Sequence, residues 1–167
     1  FNTVLLLHMN ETSGSTVSDA SSYGNNGTAT GTTIVDGRFG KARGYPNQFD
    51  GVVINRNLLS SMNSNFSIEA WIYPMAPSDV NHRRAIVDQR DSSNGTPVIN
   101  VTICTLWAAH GTKNISIVIR DDGGNLTEYY GTTEIPLFNW THLAIIRDYS
   151  NSKLLCYLNG IKELDVS

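Results

Sequence analysis

The sequence predicts an all-β protein, a sandwich of two antiparallel sheets, and three observations lead there. Short apolar runs that alternate with polar residues recur roughly every 10–15 residues, with turn formers between them. Small polar residues dominate, with 17 Asn, 16 Ser, 15 Thr and 14 Gly among 167 residues, a composition that favours strands and turns over helices. No segment sustains a 3.6-residue apolar period for three turns.

The elements follow in order. Thr3–His8 is an apolar strand. Thr28, Thr30 and Thr32 alternate as a short edge strand does, and Phe49–Ile54 comes next. Asn57–Asn65, with Leu58, Leu59 and Met62, is the one stretch that suits a helical turn. Phe66–Tyr73 is a strand ended by Pro74, which has no N–H for a ladder. Arg84–Arg90, Val98–Trp107, Asn114–Arg120, Leu126–Gly131, Trp140–Arg147 and Lys153–Leu158 continue the series. Asn159-Gly160 is a two-residue hairpin signal, so a further strand is expected at Ile161–Val166. So many strands require two packed sheets. Alternation then assigns faces. Ile115, Ile117 and Ile119 point one way, and Asn114, Ser116 and Val118 the other. Ile99, Val101 and Ile103 likewise oppose Asn100, Thr102 and Cys104. Trp71, Trp140 and Phe66 are expected to fill the space between the sheets.

The length suits one domain, residues 1–167, able to bury a core without metals or disulfides. The chain opens on Phe1 rather than Met and stops directly after a strand, and it is read as an excerpt, incomplete at its C-terminus. Twelve Lys+Arg against 15 Asp+Glu, a net charge of −3 and no basic cluster argue against a nucleic-acid partner. No apolar run approaches the ~20 residues of a membrane-spanning helix.

Asn-x-Ser/Thr occurs at Asn10, Asn26, Asn65, Asn94, Asn100, Asn114, Asn125 and Asn139, in excess of chance and never with Pro in the middle. All eight fall in predicted turns, before strands or on polar faces, so all are expected to be solvated N-glycosylation sites of an exported protein. Cys104 and Cys156 lack metal-ligand spacing. They are one disulfide if their strands are neighbours and two buried thiols otherwise.

The order of several segments carries a family resemblance: Leu5-Leu6-Leu7-His8-Met9, the turn Asp19 to Thr28, Gly37 to Ala42, Phe49-Asp50-Gly51, Phe66 to Pro74, Trp140 to Ala144, and Leu155 to Gly160. Taken together, over essentially the whole chain, this resembles the laminin-G-like group of the concanavalin A-like lectin/glucanase superfamily. The resemblance implies a jelly roll whose final strand or strands lie beyond Val166 and pair beside Thr3–His8. That strand is expected from an unshown part of the chain or from a neighbouring subunit by strand donation. It also implies a Ca²⁺ site in turn oxygens, for which Asp19 with Asn25 is the candidate.

Function is not fixed by this fold. Glycoside hydrolysis needs two carboxylates flanking the scissile bond. Glu163 and Asp165 are the nearest approach, with Ser167 in the third position, while Glu69 and Glu134 have no acidic neighbour at alternate spacing. The four His (8, 82, 110, 142) show no ligand spacing, so no catalysis is expected. Glu69, Trp71 and Tyr73 share one face of a strand, with Tyr129-Tyr130 on another, and they form a candidate carbohydrate-binding surface. Glycans on Asn100 and Asn114 would crowd it. The sequence therefore reads as a non-catalytic, extracellular, N-glycosylated structural or adhesion module of a surface assembly (filament, sheath, adhesin or virion appendage). The alternative is a carbohydrate-binding module attached to a secreted glycoside hydrolase.

Overall fold

A computed structural model describes residues 2–56, 58, 64–75, 84–90, 97–105, 113–120 and 125–167. Every regular element among them is a strand, as the composition predicts. The chain divides into two compact units, Phe1–Leu58 and Leu59–Ser167.

In the first unit, β1 (Thr16–Val17), β2 (Gly27–Thr30) and β5 (Gly51–Val53) form an antiparallel sheet in the order β1-β2-β5. A separate hairpin pairs β3 (Thr33–Asp36) with β4 (Lys41–Gly44). Its turn closes with a 2.7 Å bond from Gly37 N–H to Gly40 O, and Gly40 takes the left-handed φ of +87° that a side chain would resist. Thr3–His8, expected to be a strand, is not one. A single bridge joins Leu7 to Asp19, Ala20 N–H donates to Leu6 O, and two side chains meet further backbone groups: Asp19 Oδ1 accepts from Leu6 N–H, and Asn25 Nδ2 donates to Val4 O. Backbone polar groups satisfied this way need no sheet ladder.

The second unit is a sandwich. One sheet runs β10-β9-β8-β7, built from β7 (Arg84–Arg90), β8 (Pro97–Thr105), β9 (Lys113–Arg120) and β10 (Leu126–Tyr130). The other runs β13-β12-β11-β6, built from β6 (Phe66–Ile72), β11 (Thr141–Asp148), β12 (Lys153–Leu158) and β13 (Ile161–Val166). Between them lies the core. Ile115 and Ile117 of β9 meet Leu143 and Ile145 of β11 and Leu154, Cys156 and Leu158 of β12, with Ile135 entering from the loop before β11. The predicted hairpin joins β12 to β13, and Asn159 (φ +50°) and Gly160 (φ +80°) both adopt the left-handed conformation of a tight two-residue turn.

Face assignments change on β6 and on β9. On β6, the residues Phe66, Ile68, Ala70 and Ile72 turn inward, and period-2 geometry then sends Ser67, Glu69 and Trp71 outward. Trp71 is therefore not core; it is 40% exposed. On β9, Asn114 and Ser116 are as deeply buried as Ile115 and Ile117. A strand covered on both faces has no wet side for alternation to reveal. The expected helical turn at Asn57–Asn65 lies almost wholly outside the described residues, as does Asn94.

Candidate functional site

The outward face of β6 and its neighbour β11 gathers the most conspicuous cluster of the second unit. The register sets Trp71 opposite His142 and Glu69 opposite Ala144. The Trp71 and His142 rings lie 4.9 Å apart, tilted by 48°, and His142 Nε2 is 3.7 Å from Glu69 Oε2, an electrostatic rather than a hydrogen-bonding distance. Two residues further along the same face, Tyr73 packs on Trp140, with centroids 5.2 Å apart and planes at 51°. Along a strand that step is about 7 Å. The hairpin turn steadies the His142 end: Asn159 Oδ1 accepts from His142 N–H at 2.9 Å, and Asn159 N–H donates to His142 O at 2.8 Å.

Glu69, Trp71 and Tyr73 thus share a face, as predicted, and His142 and Trp140 join them. His142 was missed, and Trp140, expected between the sheets, instead packs on Tyr73 outside them. Their own alternation around inward Thr141 was visible in the sequence, but the register that sets them against β6 was not. Tyr129 and Tyr130 do not belong to the cluster: they lie on β10 in the opposite sheet, where Tyr129 packs against the core.

The carboxylates weighed for catalysis have other work. Glu163 sits where the β12–β13 register slips, at a bulge that aims its side chain out of the ladder. It accepts from Thr132 N–H, from Thr133 N–H at 2.8 Å and from Thr133 Oγ1. Burial opposes its charge, but the Thr133 hydroxyl and the two N–H groups outweigh burial and hold the carboxyl below its usual range. Asp165 accepts from Lys153 Nζ at 2.5 Å and Lys162 Nζ at 2.8 Å, and these two ammonium groups bring its pKa down to about 2.

The expected calcium site was Asp19 with Asn25. Asp19 Oδ1 accepts from Leu6 N–H and Ser21 N–H, and Oδ2 from Ser21 Oγ and Asn25 N–H, all within 2.7–2.9 Å. Partial burial works against the charge, yet these donors, Ser21 first, hold the carboxyl far below its ordinary value. Asn25 turns its amide NH₂ toward Val4 O. Four donors already fill the carboxylate, so this set does not fit a cation, which needs free oxygen lone pairs. Among the described residues no group of three His, Cys, Asp or Glu could hold a metal ion.

Of the predicted glycan acceptors, Asn10, Asn26, Asn65, Asn125 and Asn139 are exposed. Asn94 lies outside the described residues, and of Asn100 the structure describes the backbone, paired with Val118 and Asp88. Asn114 contradicts its expected exposure. It is 3% exposed, and its Nδ2, the atom a glycan would occupy, donates to Gly131 O at 2.8 Å. Cys156 is a buried free thiol, pushed up to about 12 by burial and by the nearby charge of Glu163.

Fold and surface together define a β-sandwich module that presents an aromatic and acidic face from one sheet. The chain belongs to the concanavalin A-like lectin/glucanases superfamily, whose laminin-G-type family profile matches residues 45–166. It is similar to the crystal structure of the binding domain of Paraclostridial Mosquitocidal Protein 1, at 21% identity and a TM-score of 0.76. That match covers 99% of this chain and 40% of the other, and at this identity it establishes the fold alone. Comparison with curated proteins finds no match.

Proposed function

We propose that the chain is a non-catalytic, exported and N-glycosylated module that serves a surface assembly such as a filament, sheath, adhesin or virion appendage. One observation carries this reading: of eight sequons, more than the composition alone would give, five asparagines, Asn10, Asn26, Asn65, Asn125 and Asn139, stand exposed. The commitment of Glu163 and Asp165 to loop and lysine contacts supports the non-catalytic part. The partner such an assembly calls for is a neighbouring subunit or the strand it donates, and β6 and β13, which end the order of their sheet, are the edges it would use. The test is expression through a eukaryotic secretory pathway followed by peptide mapping. Occupancy is expected at the five exposed sites, and finding all five empty would overturn the reading.

A second reading, a carbohydrate-binding module beside a secreted glycoside hydrolase, is favoured by the outward Trp71 with His142 and Glu69 around it. An apolar ring flanked by hydrogen-bonding groups matches the alternating C–H and O–H surfaces of a sugar. A glycan-array signal that Trp71→Ala abolishes, with the fold retained, would establish it. No signal for the parent would remove it.

A further inference from the structure

The far end of the aromatic strip holds an unusual association of groups. Phe138 is 64% exposed, and it adopts a left-handed φ of +55°, a conformation that a non-glycine residue takes only when its surroundings hold it there. Its N–H donates to Pro74 O at 2.8 Å, which fixes the turn against the end of β6 between Tyr73 and Met75. Tyr73 is 41% and Met75 68% exposed. Isolated exposed apolar residues need no explanation, but several gathered around one turn do. The next residue is Asn139, itself exposed, and Asn139-Trp140-Thr141 is a sequon.

We propose that Asn139 carries an N-glycan whose innermost N-acetylglucosamine packs on this apolar patch, on Phe138 first and on Tyr73 and Met75 beside it. The glycan thereby becomes part of the folded surface rather than a decoration standing off it. The inference rests on the glycoprotein reading above. The occupant is supplied by the chain itself. Its attachment atom is one residue from the Phe138 ring, so the sugar arrives already tethered and little association entropy is lost. The C–H face of a pyranose is apolar and flat enough to cover an aromatic ring, while its hydroxyls remain in water. The tether also explains why such a patch can stay on an exported protein without inviting aggregation. The Trp71, His142 and Glu69 end of the strip is left open.

The test uses the whole chain secreted from a eukaryotic host that makes uniform high-mannose glycans. Peptide mapping should find Asn139 occupied. Asn139→Gln should then lower the thermal midpoint by roughly 2–4 °C in the parent and by much less in a Phe138→Ala background, a non-additivity that reports contact between sugar and ring. Trimming the native protein to a single N-acetylglucosamine should keep the parent midpoint, and complete glycan removal should lose it. Equal losses in both backgrounds would overturn the inference, as would an empty Asn139 on protein whose other exposed sequons are filled; either result leaves the glycoprotein reading standing. If every sequon is empty, both fall.

Discussion

Asn114→Ala is the sharpest probe of the buried polar chemistry, because this residue is expected in water and is buried. In the parent, Asn114 Nδ2 donates to Gly131 O at 2.8 Å, and both residues are buried. Removing the amide leaves that carbonyl without its side-chain donor, at about 1–3 kcal/mol. A second effect offsets part of the loss. Among the described residues the buried Asn114 Oδ1 has no partner, and deleting it relieves a desolvated acceptor worth on the order of 1 kcal/mol. The lost bond wins, because the deletion leaves a void as well as an unmet carbonyl. The net destabilisation is about 1–2 kcal/mol, or a urea midpoint lower by roughly 0.5–1 M at unchanged m. Tryptophan fluorescence during urea unfolding reads this directly. Asn114→Asp should be worse than Ala, because it sets a buried charge against the carbonyl oxygen. A parent-like midpoint for Ala, or a glycan found on Asn114 of folded protein, would refute the placement.

Three more expectations follow from the same region. Gly131→Ala should destabilise by about 1–3 kcal/mol, because a Cβ there would lie 2.6 Å from Glu163 Oε1 and 2.8 Å from Ile115 Cγ2, both held in place; a parent-like thermal midpoint would count against it. Glu163 has a folded-state pKa below its unfolded value of about 4.3, so its stabilisation is complete above that pH and is lost as pH falls through the folded pKa. Glu163→Gln should therefore lower stability at pH 7 while shrinking the difference from parent in acid, measured as unfolding midpoints from pH 7 to pH 3. Cys156, with a thiol pKa of about 12, is thiolate in roughly one molecule in ten thousand at pH 8, so peptide mapping after iodoacetamide should find it unlabelled in native protein and labelled in urea.

The strands were legible wherever one face was wet. Lys153–Leu158 and Ile161–Val166 match their expected bounds because alternation and the Asn159-Gly160 turn agree. The arms of the β3–β4 hairpin were not foreseen, since each has four residues and Ile34 and Val35 are the only large apolar residues they carry. Thr3–His8 misled in the opposite sense, because an apolar run does not reveal that Asp19 and Asn25 will take its backbone groups. Half of the candidate surface was visible as Glu69, Trp71 and Tyr73 on one strand. The other half, His142 and Trp140, depends on a cross-strand register that lives in the pairing of distant segments.

The reversed residues have a common cause. Tryptophan was placed inside for its area and asparagine outside for its polarity, but position on a pleated strand is decided by the whole set of neighbours. On β6 the inward places are already taken by Phe66, Ile68, Ala70 and Ile72, so Trp71 must face out. On β9 a buried asparagine on the face opposite Ile115 and Ile117 is tolerable because the Gly131–Thr133 loop supplies its partner, and that loop is a clamp across the sandwich. Gly131 N–H donates to Ile115 O and Gly131 O accepts from Asn114, both in one sheet, while Thr132 and Thr133 donate to Glu163 in the other. The segment leaving the clamp inserts Ile135 into the core and then delivers Phe138, Asn139 and Trp140 to the end of β6. The buried asparagine and the exposed aromatics are therefore linked: the polar clamp inside fixes where the chain emerges, and that exit sets the surface a glycan or ligand meets.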